Sequence, residues 1–135
     1  MSGRTRDEEY EKAMTDFSVS SMNNAKWVRL FSAIVESGIQ IERAEWKYVG
    51  LERTEWNRLP LAQDILPNRF ADGAFQPTEY KWIEWVFVPA EYAPVTGVGF
   101  RRKQDVAGIL EAIDRVGKFD IDRGPGGFRL YGYRP

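Results

Sequence analysis

The sequence predicts an α+β fold, an antiparallel sheet of about five strands with two or three helices packed on it. Three observations predict it. Apolar residues recur at helical spacing in two stretches, Trp27 to Val35 and Val106 to Val116. The run Tyr80-Lys81-Trp82-Ile83-Glu84-Trp85-Val86-Phe87-Val88 has nine residues without Gly or Pro, and seven are β-branched or aromatic, a composition that suits a pleated surface. The chain ends in two short alternating segments around Gly124-Pro125-Gly126-Gly127, which read as a hairpin. Helices and strands come in groups and do not alternate strictly, which favours an antiparallel sheet. The 135 residues match one domain in size. Residues 1–18 read as a flexible or helical N-terminal segment and 19–135 as the single α+β domain.

Taken in order, Asp7 to Phe17 can form a helix, with Tyr10, Ala13, Met14 and Phe17 on one stripe and acids in its first turn, where the helix dipole favours them. Asn23 or Asn24 can cap the next helix. Trp27, Leu30, Phe31, Ile34 and Val35 form its buried stripe, and Gly38 ends it by taking the left-handed conformation. Residues 39–52 read as one strand, broken or bulged near Arg43, with Trp46 and Tyr48 on one face. Residues 53–79 show no clean period, and Pro60, Pro67 and Pro77 preclude a long helix there. A connection of this length is often functional.

Alternation in the 80–88 strand puts Tyr80, Trp82, Glu84, Val86 and Val88 on one face and Lys81, Ile83, Trp85 and Phe87 on the other. Both faces carry large apolar groups, so this strand is expected to be central and covered on both sides. Val95 to Arg102 reads as a returning strand. Gln104 or Asp105 caps the last helix, whose face carries Val106, Ile109, Leu110, Ile113 and Val116. In the final hairpin Phe128, Leu130 and Gly132 share one face, and Arg129, Tyr131 and Tyr133 the other.

Several chemistries are missing their side chains. There is no His and no Cys, which removes imidazole bases, thiol nucleophiles and thiolate or imidazole metal ligands. No cofactor is expected, and the chain does not read as an enzyme. Asp64 followed by Glu79-Tyr80-Lys81 resembles the acid and E-x-K pattern of metal-dependent restriction-type nucleases, but three charges at loose spacing carry little weight. Gly124-Pro125-Gly126-Gly127 lacks the lysine and the following helix of a phosphate loop. Glu84, between two tryptophans, should need a Lys or Arg from a neighbouring strand; a pocket acid is the alternative. No apolar run is long enough to span a bilayer, and Met1 to Asp16 is mostly charged and polar, so a cytoplasmic protein with neither membrane contact nor secretory signal is expected.

The net charge of −1 is unevenly placed: residues 36–100 carry ten acids and six bases, and residues 101–135 five acids and eight bases. A negative middle permits a basic partner. The C-terminal residues Arg123, Arg129, Tyr131, Tyr133 and Arg134 interleave bases with aromatics, the pattern of a small nucleic-acid-binding module that holds single strands by stacking and phosphate contact. The overall acidity makes nucleic acid the lesser expectation.

Two motifs carry a resemblance. Ser21-Met22-Asn23-Asn24-Ala25-Lys26-Trp27 opens a helix, and Ile83-Glu84-Trp85 lies in a later strand. Together they resemble an uncharacterised bacterial family, a domain of unknown function, over roughly residues 20–90. By class, the chain also resembles small immunity proteins of bacterial toxin systems, including contact-dependent growth inhibition. That likeness implies a cytoplasmic protein that occludes the active site of a cognate toxin, expected to be a basic nuclease-type domain. The contact surface expected on the irregular middle comprises Trp56, Arg58, Asp64, Asp72, Glu79, Glu91 and Tyr92.

Overall fold

A computed structural model describes residues 12–71, 77–93 and 99–135. A 3-10 turn at Met14–Asp16 and a short strand β1 (Val19–Ser20) precede helix α1 (Asn24–Glu36). Asn23 is the cap: its side chain accepts from the Lys26 N–H at 2.8 Å, satisfying a donor the helix leaves unpaired. Trp27, Leu30, Phe31, Ala33 and Ile34 are buried along the predicted stripe. Gly38 follows with φ of 76°, as expected of the residue that closes the helix.

Strands β2 (Ala44–Tyr48) and β3 (Thr54–Asn57) form a hairpin; then come β4 (Arg69–Ala71), β5 (Pro77–Glu79), β6 (Ile83–Pro89), β7 (Glu91–Tyr92) and β8 (Arg102–Lys103). Helix α2 (Val106–Asp114) follows, and β9 (Ile121–Gly124), β10 (Gly127–Tyr131) and β11 (Tyr133–Arg134) close the chain. The main sheet has five antiparallel strands in the order β3-β2-β6-β10-β9. The fold is α+β, with β6 at the centre of the sheet.

Residues 39–52 do not make one strand; only Ala44–Tyr48 is extended and paired. The expected strand over Val95 to Arg102 is described only in its last residues. Residues 94–98 lie outside the described residues, and β8 pairs with β7 in a separate ribbon. The fifth strand is β3, from the stretch that shows no period. It is an edge strand, so its side chains have little core to alternate against. Gln104 fastens the β7–β8 ribbon down. Its amide oxygen accepts from the Glu42 and Arg43 N–H groups at 3.0 and 3.1 Å. Its amide nitrogen donates to the Arg43 and Pro89 carbonyls, both at 2.9 Å. Asp105 caps α2, accepting from the Gly108 N–H. Of the expected N-terminal helix, residues 7–11 lie outside the described residues, and Phe17 is extended, its ring 5.5 Å from Tyr133.

The central run does not begin as a strand. Tyr80–Trp82 forms a 3-10 turn and the strand starts at Ile83. The turn carries Tyr80 into the core, fully buried, where its hydroxyl donates to the Leu66 carbonyl at 2.8 Å. Burial pushes the Tyr80 hydroxyl up to about 12. The register then slips: Tyr48 faces Ile83 and Lys47 faces Trp85, leaving Glu84 as the extra residue of a β-bulge. The bulge resets the alternation, so Ile83 joins Val86 and Val88 in the core, not Trp85 and Phe87.

Both helices lie on one face of the sheet. Trp46, Tyr48, Ile83, Val86, Val88, Phe128 and Leu130 bury against Trp27, Leu30, Phe31 and Ile34 of α1 and Ile109 and Ile113 of α2. The expectation that β6 is covered on both sides is therefore corrected: Trp85 and Phe87 on its other face are only half-buried, because both α-helices among the described residues lie on the first face.

Phe31 stands at the centre. Its ring lies 5.4 Å from Trp27, 6.0 Å from Trp46, 5.9 Å from Phe70 and 6.2 Å from Tyr80, spacings at which aromatic pairs attract. Phe31→Ala should therefore cost about 3–5 kcal/mol, read as a lowered urea midpoint with an unchanged slope. A loss under about 1 kcal/mol would mean that the cluster closes over the gap.

Candidate binding face

The uncovered face follows from register. Residues directly opposite in an antiparallel pair share a face. Trp56 lies opposite Glu45, Glu45 opposite Phe87, Phe87 opposite Arg129, and Arg129 opposite Asp122. A second row runs Thr54, Lys47, Trp85, Tyr131. Four aromatic rings thus alternate with charged groups across the whole sheet. Arg129 lies over the Trp85 ring, 4.0 Å from its centroid, and 5.8 Å from that of Phe87. Such stacking holds a guanidinium flat and partly stripped of water; the Arg129 Nε is buried without a hydrogen-bond partner.

Most of the surrounding charges are committed to neighbours. Lys47 pairs with Glu84 at 3.1 Å, both side chains about four-fifths buried (18% and 20% exposed), and also donates to the Tyr48 carbonyl. The neighbouring-strand partner that Glu84 requires is thus present. Arg134 donates to Asp120 at 2.7 Å and to Asp122 at 3.0 Å while covering the Tyr131 ring at 3.7 Å. The Arg134 hydrogen bond holds the Asp120 carboxyl below its usual range, and the two carboxylates raise the Arg134 guanidinium. Glu45 accepts the Thr54 hydroxyl at 2.6 Å. Among the described residues, no cation pairs with Glu45 and no carboxylate with Arg129.

The residues expected to form a contact surface are dispersed. Trp56 belongs to the open face and is 48% exposed. Arg58 and Asp64 are brought together, at 3.0 Å, but as structure: Asp64 is buried and also accepts from the Leu61 N–H. Glu79 sits in the β4–β5 ribbon, 3.8 Å from Lys81. Glu91 pairs with Arg101 at 3.7 Å, and the Tyr92 hydroxyl donates to Glu42 at 3.1 Å, both on the β7–β8 ribbon. Asp72 lies outside the described residues. Of the nuclease-type pattern, Asp64 is engaged by Arg58, and Glu79 lies beside Lys81 of its own E-x-K stretch. Among the described residues no three acids group to hold a metal ion.

In the terminal hairpin, Arg129 and Tyr131 share a face as expected, and it is the open one, but Tyr133 does not join them. The chain turns at Gly132, whose N–H donates to the Glu84 carbonyl at 2.7 Å. A Cβ there would collide with the Ile83 carbonyl oxygen. Beyond the turn Tyr133 is buried and donates to the Lys81 carbonyl at 2.8 Å. The contributions of Glu45, Lys47, Trp85, Phe87 and Asp122 to a surface were missed. Their shared parity was readable in each strand; that no helix among the described residues covers them was not.

Comparison with protein-family models, with curated proteins and with solved structures gives no match for this chain. No helix among the described residues is long and apolar enough to cross a membrane.

Two outcomes test the charge arrangement. Glu84→Gln should lower stability by about 1–2 kcal/mol, between the values for exposed and buried pairs, by chemical denaturation. Asp120 has a depressed folded value, so its contribution is present above the ordinary carboxylate range and is lost as pH falls through the lowered one. Asp120→Asn should therefore be less stable than wild type near neutral pH, and the difference should close below about pH 4. A pH-independent difference would mean that shape, not charge, is what Asp120 supplies.

Proposed function

We propose that this chain is an immunity-type binding protein that neutralises a cognate bacterial toxin by covering the toxin's active site. In this reading it is cytoplasmic, performs no chemistry of its own and needs no cofactor. The observation that carries the reading is the uncovered sheet face, where Trp56, Phe87, Trp85 and Tyr131 stand among Glu45, Lys47, Arg129 and Asp122. Tryptophan, tyrosine and arginine are the residues that most often dominate protein–protein affinity. A rigid sheet presents them with little ordering cost on binding. The class likeness to immunity proteins supports the same reading. The contact surface moves from the irregular middle to the sheet, with Trp56 common to both. The side chains of the two rows balance in charge, so the face selects a partner by shape and local pairing more than by overall attraction.

The test is to mix the purified protein with the toxin domain encoded beside its gene. A stable complex on gel filtration, weakened about tenfold or more by Trp85→Ala or Arg129→Ala, is the expected result. No complex, or one indifferent to both substitutions, would remove the reading.

A second reading, a nucleic-acid-binding module, is favoured by one observation: Arg129 and Tyr131 of the hairpin adjoin Trp85 and Phe87, which makes a platform on which bases could stack. Against it, Arg134 and Arg123 are held by carboxylates. Binding to single strands that weakens steeply with salt and is lost in Tyr131→Ala would favour this reading over the first.

A further inference from the structure

We propose that the uncovered sheet face is self-complementary and pairs face to face with a second copy of this chain, about a two-fold axis lying along β6. Four aromatic side chains exposed or half-buried on one sheet face form the kind of apolar patch that marks an interaction site, and closed symmetric pairs are the commonest assemblies. The charge pattern identifies the occupant. Glu45 and Arg129 lie on opposite sides of Phe87, each one strand away. Rotation by 180° about an axis along β6 exchanges the two sides of the sheet. Glu45 of one copy then faces Arg129 of the other, and the reverse, while Phe87 and Trp85 meet their own counterparts on the axis. Lys47, held by Glu84, comes to lie opposite Tyr131, whose ring Arg134 covers, and Trp56 faces Asp122.

Glu45 and Arg129 are also the two charges on this face that lack an opposite partner among the described residues, so the contact supplies what each lacks. A two-fold axis across the strands would instead set Glu45 against Lys47, which Glu84 already occupies at 3.1 Å. The axis along β6 is therefore the one that leaves no charge unpaired. Sheets stacked this way are a common packing, with strands within about 30° of parallel and inner faces about 10 Å apart.

The face spans about 20 Å across five strands and is two registered rows deep. It is small for a stable interface, so association should be weak and concentration-dependent. The dimer uses the surface assigned above to the toxin, so a toxin would draw on the monomer. The two ideas stand or fall separately, because self-association is measured on this protein alone.

The test is sedimentation equilibrium of the full chain from ~10 μM to ~1 mM, with circular dichroism to confirm folding. Wild type should approach twice its 15.6 kDa mass as concentration rises. Glu45→Arg and Arg129→Glu should each weaken self-association by about tenfold or more, since each sets like charges face to face. Mixing the two variants should restore it, because Arg at position 45 of one copy then meets Glu at position 129 of the other, while the second contact stays Glu45 against Arg129. Wild type that stays monomeric would overturn the proposal. So would a dimer indifferent to the single reversals, or two folded variants that fail to associate when mixed.

Discussion

Phe31 is where distant lengths of this chain are forced to agree. Its ring contacts Trp27 on its own helix, Trp46 on β2, Phe70 on β4 and Tyr80 in the turn before β6. Each contact alone is modest, but the rings also touch one another, Trp46 with Phe70 at 5.1 Å and Phe70 with Tyr80 at 5.6 Å. Flat, stiff side chains that stack lose little rotamer freedom for the area they bury. The cluster therefore does for residues 58–71 and 77–82 what regular pairing does for the sheet: it gives irregular stretches a reason to occupy one place.

That packing has a consequence on the far side of the sheet. Helices α1 and α2 both pack on the sheet face that holds this cluster, and among the described residues neither helix lies on the other face of β6. The residues there do not behave like an ordinary polar surface. Trp85 supports Arg129, Tyr131 supports Arg134, and Lys47 is drawn into the bulge by Glu84. Such mutual support keeps exposed rings and charges in fixed positions.

The bulge at Glu84 links the two sides. It adds one residue to β6 and so lets Ile83 face the core while Trp85 faces out. The Glu84 carbonyl receives the Gly132 N–H, and close approach of the chain at Gly132 then turns Tyr133 inward. One extra residue in a strand thus decides which aromatics face outward and which hold the core together.

The sequence by itself determined what depends on near neighbours along the chain. The stripe of α1, a cap at Asn23 or Asn24, its stop at Gly38, the central place of the 80–88 run and the glycine-rich hairpin turn all follow from spacing and from local hydrogen bonding. So does the need of Glu84 for a cation. What it did not determine depends on counting residues against a partner strand or on where helices land. Tyr80 leaves the strand because a pocket between Phe31 and Phe70 accepts its ring. Thr54–Asn57 becomes the fifth strand because β2 offers an open edge. Ile83 changes sides because of a bulge that no period reveals. Trp85 and Phe87 became a surface only when two helices chose the opposite face, and burial is a property of the assembled layers, not of any one segment.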